Sequence, residues 1–215
     1  MAVRVLLVDD HPLLREALHY LIDAQPDLEV VGEADNAAAA FDAVTGLAPD
    51  VIIMDIELPG ESGIEVSRRI LASNPATRIV ILSAYADPAY VAEAVQIGVR
   101  GYLLKGNASS EVVRAVRAVM DGHTFMCPEA TSALVTVYRD SMAGAPADTR
   151  PALSQREREV RLLVAEGLRT KEIAARLDIG TKTVDTYRAR LMAKLKCSST
   201  AELVRYAIRE GLASP

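Results

Sequence analysis

Four short apolar runs in the sequence each end at polar side chains, namely Asp9 with Asp10, Asp55, Ser83 and Lys105. Carboxylates that crowd together repel one another unless a cation is present, and an oxygen-only ligand set without Cys or His favours Mg²⁺. A lysine adds a positive charge and a serine adds a hydroxyl donor, which the oxygens of a phosphoryl group require. These residue types are therefore typical of a site where Mg²⁺ and a phosphoryl group meet.

The apolar runs also predict the sheet that would hold these residues. Five strand-like segments alternate with five helix-like segments, which is typical of a doubly wound α/β domain with a five-stranded parallel sheet. The carboxyl ends of such strands lie along one edge, so the polar residues could converge on a single site. The predicted strands are residues 3–8, 28–34, 51–54, 78–82 and 101–104, and the predicted helices are residues 12–22, 36–47, 63–73, 89–97 and 109–120.

Each polar residue also has a purely structural interpretation. Asp10 could cap the helix that begins at Pro12, and Asp55 could cap the turn after its strand. Ser83 could be a turn residue, and Lys105 a solvated lysine. Taken singly, these interpretations are as acceptable as the functional ones, but together they require several strand ends to match a site by accident. We therefore expect a functional site at this edge.

Charge divides the chain into an acidic and a basic part. The net charge of the 215 residues is −5, but residues 1–123 carry −9 and residues 151–215 carry +5. This asymmetry favours metal or phosphate chemistry in the first part and nucleic-acid binding in the second, although chance clustering of solvated charges is the alternative. Half of the residues are hydrophobic, so two small domains can each bury a core.

Targeting signals are not visible in the sequence. No segment approaches the roughly 18 consecutive apolar residues of a membrane span. The amino terminus does not resemble a signal peptide, because its apolar run leads directly into Asp9 and Asp10. Cys127 and Cys197 lie far apart, match no metal-binding spacing and are expected to be free thiols. We therefore expect a cytoplasmic protein.

The remainder of the chain predicts a linker and an all-α domain. Residues 1–122 form the first predicted domain, and residues 123–150 a linker with a short helix at 128–138 and a flexible tether from 141 onward. Residues 151–215 predict four helices, the first with a Ser-x-x-Glu capping box at Ser154 to Glu157. A short helix, a turn containing Gly180 and a polar, basic helix suit a helix-turn-helix, although an ordinary helical bundle is the alternative.

Residues 1–121 resemble the receiver domain of response regulators. The resemblance rests on Asp9, Asp10, Asp55, Leu58, Pro59, Gly63, Ser83 and residues 101–105. It implies a flavodoxin-like fold and a phosphoryl group that passes from a sensor histidine kinase to Asp55. It also implies that Asp10, the Asp55 carboxylate and the backbone carbonyl of Glu57 hold Mg²⁺, with Asp9 assisting.

The same resemblance implies roles for the other strand-end residues. Ser83 and Lys105 would hold the phosphoryl oxygens, and Tyr102 would be the aromatic switch, although Tyr102 could also be a core aromatic residue. Members of the family often have a proline directly after the lysine, where this chain has Gly106. That departure leaves the geometry of the peptide bond open.

Residues 151–215 resemble the LuxR-type helix-turn-helix of NarL/FixJ-type response regulators. The resemblance rests on residues 153–160, Gly167, residues 171–174, Leu177, Thr183, Val184, Lys194 and Leu195. It implies that residues 181–195 form the recognition helix. The residues expected at the DNA are Lys171, Lys182, Thr183, Asp185, Thr186, Tyr187, Arg188, Ala189, Arg190 and Lys194.

Two residues of the expected recognition helix depart from the family pattern. Asp185 stands where a lysine is usual, and Tyr187 where a histidine is usual. A tyrosine can still reach a phosphate, whereas an aspartate repels it. Asp185 could instead accept a hydrogen bond from a cytosine amino group, or pair with Arg188 or Arg190 on the same helix.

These observations predict a two-domain transcription regulator rather than an enzyme. Phosphorylation at Asp55 would favour a homodimer or release the basic domain to bind two DNA half-sites. An aspartyl-phosphate phosphatase or ATPase is the second interpretation, because Glu57 stands two residues after the acceptor, where such enzymes place a general acid. A regulator that works through dimer contacts without phosphate is the third.

Overall fold

The computed structural model describes residues 2–59, 61–142, 153, 155–165, 167–177, 179–195 and 197–209. The chain divides into two compact units, Met1–Arg139 and Asp140–Pro215. The predicted tether falls mostly on residues 143–152, which lie outside the described residues. No helix in the described part of the chain is long and apolar enough to span a membrane.

The first unit contains a parallel sheet of six strands, not the five that the sequence predicts. The strand order is β2-β1-β3-β4-β5-β6, and every neighbouring pair is parallel. The additional strand, β6, has only two residues, which is too short to give a recognisable apolar pattern. The strands are β1 (Val3–Val8), β2 (Leu28–Ala34), β3 (Val51–Asp55), β4 (Arg78–Ser83), β5 (Gly101–Leu104) and β6 (Phe125–Met126).

Helices cover both faces of this sheet, as the alternating pattern predicts. Because both faces are covered, the central strands are apolar at almost every position, and all five residues of β3 are buried. Side chains at alternate positions enter two separate cores, with Ile52 in one and Ile53 in the other. The helices are α1 (Pro12–Asp23), α2 (Ala37–Leu47), α3 (Gly63–Ser73), α4 (Pro88–Gln96), α5 (Ala108–Met120) and α6 (Pro128–Met142).

Part of the predicted linker belongs to the sheet. Phe125 and Met126 pair with Gly101 and Tyr102 of β5, and the backbone N–H of Cys127 donates to the Tyr102 carbonyl at 3.0 Å. The helix α6 that follows buries Ala130 and Ala133, together with Cys127, in the same core as the sheet.

The second unit consists of four helices around an apolar core. Gly167, with φ of +84°, lies in the turn after the first helix, a backbone conformation that strongly favours glycine. Val160, Ile173, Val184 and Leu203 come from the four successive helices and meet in this core. The helices are α7 (Gln155–Ala165), α8 (Thr170–Leu177), α9 (Thr181–Lys194) and α10 (Thr200–Arg209).

Candidate functional site

The carboxyl ends of β1, β3 and β5 bring Asp9, Asp55 and Lys105 together. Lys105 Nζ lies 2.8 Å from Asp55 Oδ2 and 2.9 Å from Asp9 Oδ2. The side chains of Asp55 and Asp9 are 0% and 3% exposed. Two buried carboxylates therefore share one lysine at the edge of the sheet.

Burial controls the ionisation of Asp55. It raises the pKa of the Asp55 carboxyl to about 6, and the negative charge of Asp9 acts in the same direction. Lys105 opposes this increase, as does the backbone N–H of Glu57, which donates to Asp55 Oδ1 at 3.0 Å. Asp55 is consequently mostly ionised at neutral pH.

The ammonium group of Lys105 is held in its charged form. Burial lowers the pKa of Lys105, but the neighbouring carboxylates of Asp55 and Asp9 outweigh that effect, so the pKa is raised. The site therefore keeps a fixed positive charge beside the nucleophilic oxygen.

His11 is a member of this cluster that sequence reasoning missed. Its Nδ1 lies 2.7 Å from Asp10 Oδ1, 3.0 Å from Asp9 Oδ1 and 3.2 Å from Lys105 Nζ. It is also 4.0 Å from Asp55 Oδ2. The available signal was its position directly after Asp10, which places it at the same strand end.

The cluster has the donor set of a divalent-cation site. Ligand atoms of Asp9, Asp10, His11 and Asp55 lie within 4.8 Å of one another. Asp9 Oδ2 and Asp10 Oδ1 are buried, with Lys105 Nζ 2.9 Å from the first and His11 Nδ1 2.7 Å from the second. Such carboxylate oxygens suit Mg²⁺, and the backbone of Glu57 reaches the site through its bond to Asp55.

Ser83 and Tyr102 share a hydrogen-bond partner in this conformation. Ser83 Oγ donates to the carbonyl of Tyr85 at 2.8 Å, and the Tyr102 hydroxyl donates to the same carbonyl at 2.9 Å. Burial raises the pKa of the Tyr102 hydroxyl, which therefore stays a donor. The hydroxyl of Ser83 is thus linked to the Tyr102 ring through one backbone oxygen, which no sequence pattern reveals.

Gly63 is required by the backbone at the end of β3. A Cβ atom at this position would lie 1.7 Å from the carbonyl oxygen of Asp55 and 3.1 Å from Cα of Ile56. Its N–H donates to the Ile56 carbonyl at 2.9 Å. Only glycine therefore allows α3 to begin this close to the segment that carries Asp55.

The residues expected at the DNA occupy different environments on α9. Asp185 and Ala189 are exposed and one helical turn apart, so they share the outer face. Tyr187 is 3% exposed and packs in the core of the unit with Val184 and Leu191, so it has little surface to offer a phosphate.

The other residues expected at the DNA differ in their exposure and contacts. Lys171 on α8 is exposed. Lys194 contacts the buried carboxylate of Glu157 at 2.9 Å. The remaining residues with described side chains, namely Thr183, Thr186, Arg188 and Arg190, are half-buried, and the side chain of Lys182 lies outside the described part of the chain.

Comparison with known families matches both units. Residues 5–117 match the model of the response regulator receiver domain. Residues 151–207 match the model of bacterial regulatory proteins of the luxR family. The chain belongs to the NarL/FixJ-type response regulators.

Two relatives match 98% and 65% of the length of this response regulator. The oxygen regulatory protein NreC of Staphylococcus carnosus is 36% identical over 214 residues, which cover 98% of this chain and 99% of the relative. A LuxR-family two-component response regulator from Aurantimonas sp. SI85-9A1 is 34% identical with a TM-score of 0.61 and covers 65% of this chain and 99% of its own.

A third relative was solved on DNA. RcsB from Salmonella enterica serovar Typhimurium, bound to the promoter P1flhDC in the presence of the phosphomimetic BeF3-, is 25% identical with a TM-score of 0.61. The match covers 96% of this chain and 98% of that chain. The response regulator described here therefore regulates transcription through a receiver domain and a LuxR-type DNA-binding domain.

Proposed function

We propose that Asp55 accepts a phosphoryl group from a sensor histidine kinase, and that this event controls dimerisation and sequence-specific DNA binding. The observation that carries the proposal is the position of Asp55, buried at the sheet edge with Lys105 Nζ 2.8 Å from one carboxylate oxygen. Asp9 and Asp10 lie beside it with oxygens that suit Mg²⁺.

The charges around Asp55 fit phosphoryl transfer. The Asp55 carboxylate would form the new O–P bond while the P–N bond of the phosphohistidine donor breaks and the imidazole leaves. Lys105 is placed to neutralise the phosphoryl oxygens, and Asp9 and Asp10 would hold Mg²⁺. The bound cation would supply further positive charge for the same oxygens.

A change at Ser83 would transmit the effect of phosphorylation from the site to the surface. If the Ser83 hydroxyl turns from the Tyr85 carbonyl toward a phosphoryl oxygen, one of the two hydrogen bonds to that carbonyl is lost. The segment between β4 and α4 is then free to adopt a second arrangement with Tyr102. Such control requires a differential interaction of only a few kcal/mol between the two arrangements.

Labelling tests the assignment of Asp55. With a small-molecule phosphodonor and Mg²⁺, the wild-type chain should gain one phosphate, and the Asp55→Asn variant should gain none. Asp42→Asn, an exposed carboxylate on α2, is the matched control and should label like the wild type. Full labelling of Asp55→Asn would overturn the proposal.

Sedimentation tests the proposed dimer. One recognition helix reads too few base pairs for useful specificity, so two chains are expected on two half-sites. The phosphodonor should therefore raise the molecular mass of the wild type and leave Asp55→Asn unchanged. A phosphorylated chain that stays monomeric and still binds a palindromic site tightly would count against a phosphorylation-driven dimer.

A further inference from the structure

A hydrogen-bonded clamp connects three helices of the DNA-binding domain. Arg188 of α9 donates through Nη1 to Thr170 Oγ1 at 2.8 Å and through Nη2 to Thr200 Oγ1 at 3.1 Å. Thr170 is the first residue of α8, and Thr200 is the first residue of α10. One guanidinium therefore joins the middle of α9 to the beginnings of two neighbouring helices.

The surroundings explain why a cation is tolerated there. A helix amino terminus carries partial positive charge, which alone would disfavour a guanidinium. Each of the two termini also carries a glutamate, because Glu172 accepts from the N–H of Arg169 at 2.7 Å and Glu202 from the N–H of Ser198 at 2.6 Å. These carboxylates offset the charge, so Arg188 can bond to both threonine hydroxyls.

The clamp extends to the outer face of α9. Because Thr170 Oγ1 accepts from Arg188, its own proton is directed to another acceptor, and Asp185 Oδ1 lies 3.3 Å away. This contact is longer than an ideal hydrogen bond between oxygens, so it restricts the Asp185 carboxylate without removing it from other donors. Asp185 is exposed, one turn before Ala189 on the same face.

We propose that Arg188 and Thr170 are positioning residues for base readout, and that neither binds the DNA backbone. The guanidinium sets the placement of α9 against α8 and α10, and the Thr170 hydroxyl orients the Asp185 carboxylate toward an exocyclic amino group of a base in the major groove. This inference rests on the proposed role of α9 as the recognition helix. It assigns the arginine an internal task, although its charge alone would suggest a phosphate contact.

A phosphate contact and a positioning role differ in their salt dependence. Loss of a phosphate contact weakens binding to all sequences and lowers the slope of log affinity against log salt by about one unit. Loss of a positioning residue leaves the slope unchanged and lowers discrimination at the base pair that Asp185 reads, by about three- to ten-fold. The two roles are therefore separable with one set of titrations.

The experiment uses the full chain and a duplex selected from a random pool, with its single-base-pair variants and a scrambled duplex. Arg188→Lys keeps the charge but not the two-pronged geometry, and Thr170→Val removes the hydroxyl at constant shape. Both variants should keep the slope of log affinity against log salt, and both should discriminate less between the bases at the same base pair. The double variant should lose no more than either single variant, because the residues act as one unit.

Lys171→Met is the matched control. Lys171 is exposed and adjacent to Thr170, so its loss should lower the salt slope and preserve discrimination. The proposal is overturned if Arg188→Met behaves like Lys171→Met, or if Thr170→Val discriminates like the wild type. Equal specific DNA binding with and without the phosphodonor would refute control through Asp55. The variants would still test the positioning role of Arg188 and Thr170.

Discussion

Lys105 Nζ lies 2.8 Å from Asp55 Oδ2, so the buried Asp55 carboxylate has a cationic partner. The contact only partly compensates for burial, because the pKa of Asp55 is still raised to about 6. A buried carboxylate in this position reduces the stability of the fold at neutral pH. The burial that raises the pKa of Asp55 therefore also lowers the stability of the domain.

Asp55→Asn should stabilise the metal-free chain at pH 8. The folded-state pKa is raised from 3.8 to about 6, so the stability linked to the protonated form is present below pH 3.8 and is lost as the pH rises through about 6. The substitution should therefore raise the free energy of unfolding by about 1–2 kcal/mol at pH 8, with the loss of one of the two ion pairs of Lys105 limiting the gain. Denaturant titrations in a chelator check this. A variant less stable than the wild type at pH 8 would contradict it.

Gly63→Ala should disrupt the acceptor strand. The new Cβ atom would meet the Asp55 carbonyl oxygen at 1.7 Å, and that neighbour is backbone that cannot move aside. We expect a loss of about 3 kcal/mol or more in unfolding free energy. Gly46→Ala is the control, because no atom outside the adjoining residues and the backbone of its own helix lies within 4 Å of its Cβ position, and it should be neutral or stabilising. Equal stability of the two variants would refute the close approach.

The pair His19 and Glu33 should stabilise the first unit within a limited pH window. A hydrogen bond between the two side chains, 2.6 Å long, raises the pKa of His19 and lowers that of Glu33. The contribution of His19 is full below its ordinary pKa of 6.5 and is lost as the pH rises through the raised value. The contribution of Glu33 is full above its ordinary pKa of 4.5 and is lost as the pH falls through the lowered pKa.

Unfolding titrations of His19→Gln from pH 3 to 9 test this window. The difference from the wild type should be largest between pH 4.5 and 6.5 and should not exceed about 1 kcal/mol, because both side chains are partly solvated. His123→Gln, at an exposed histidine, serves as the control. A difference that does not vary with pH would show that the pair is not ionised.

Asp185→Lys should make DNA binding stronger and less selective. The change replaces a carboxylate that repels phosphates by a cation, so the slope of log affinity against log salt should steepen by about one to two units. Ala189→Lys adds a charge on the same face and keeps the carboxylate, so it should steepen the slope by about one unit and keep the base preference. An unchanged slope and preference for Asp185→Lys would place Asp185 away from the DNA.

The edge that carries Asp9, Asp55 and Lys105 was predictable because long apolar runs end abruptly at these residues. A buried parallel strand and the polar residue after it leave a strong pattern. The contacts of His11 were less visible, because the sequence does not indicate the direction of its ring. The shared carbonyl of Tyr85 leaves no pattern at all, since any residue could provide a backbone oxygen.

The helix α9 shows the same limit. Its place in the chain was predictable from the turn at Gly180, but the direction of each side chain was not. Tyr187 lies in the core, and Arg188 bonds to Thr170 and Thr200. The packing of the neighbouring helices against α9 determines these directions. Charge and polarity alone would place all of these residues at the DNA.

The two-residue strand β6 covers what would otherwise be the open border of the sheet. Without it, backbone groups of Gly101 and Tyr102 would be free to pair with another molecule, which is a common route to aggregation. A fragment cut after Gly122 would lose this cover, whereas one cut after Arg139 would keep both the strand and the helix that anchors it. The two residues of β6 therefore protect the backbone of β5 from pairing with another chain.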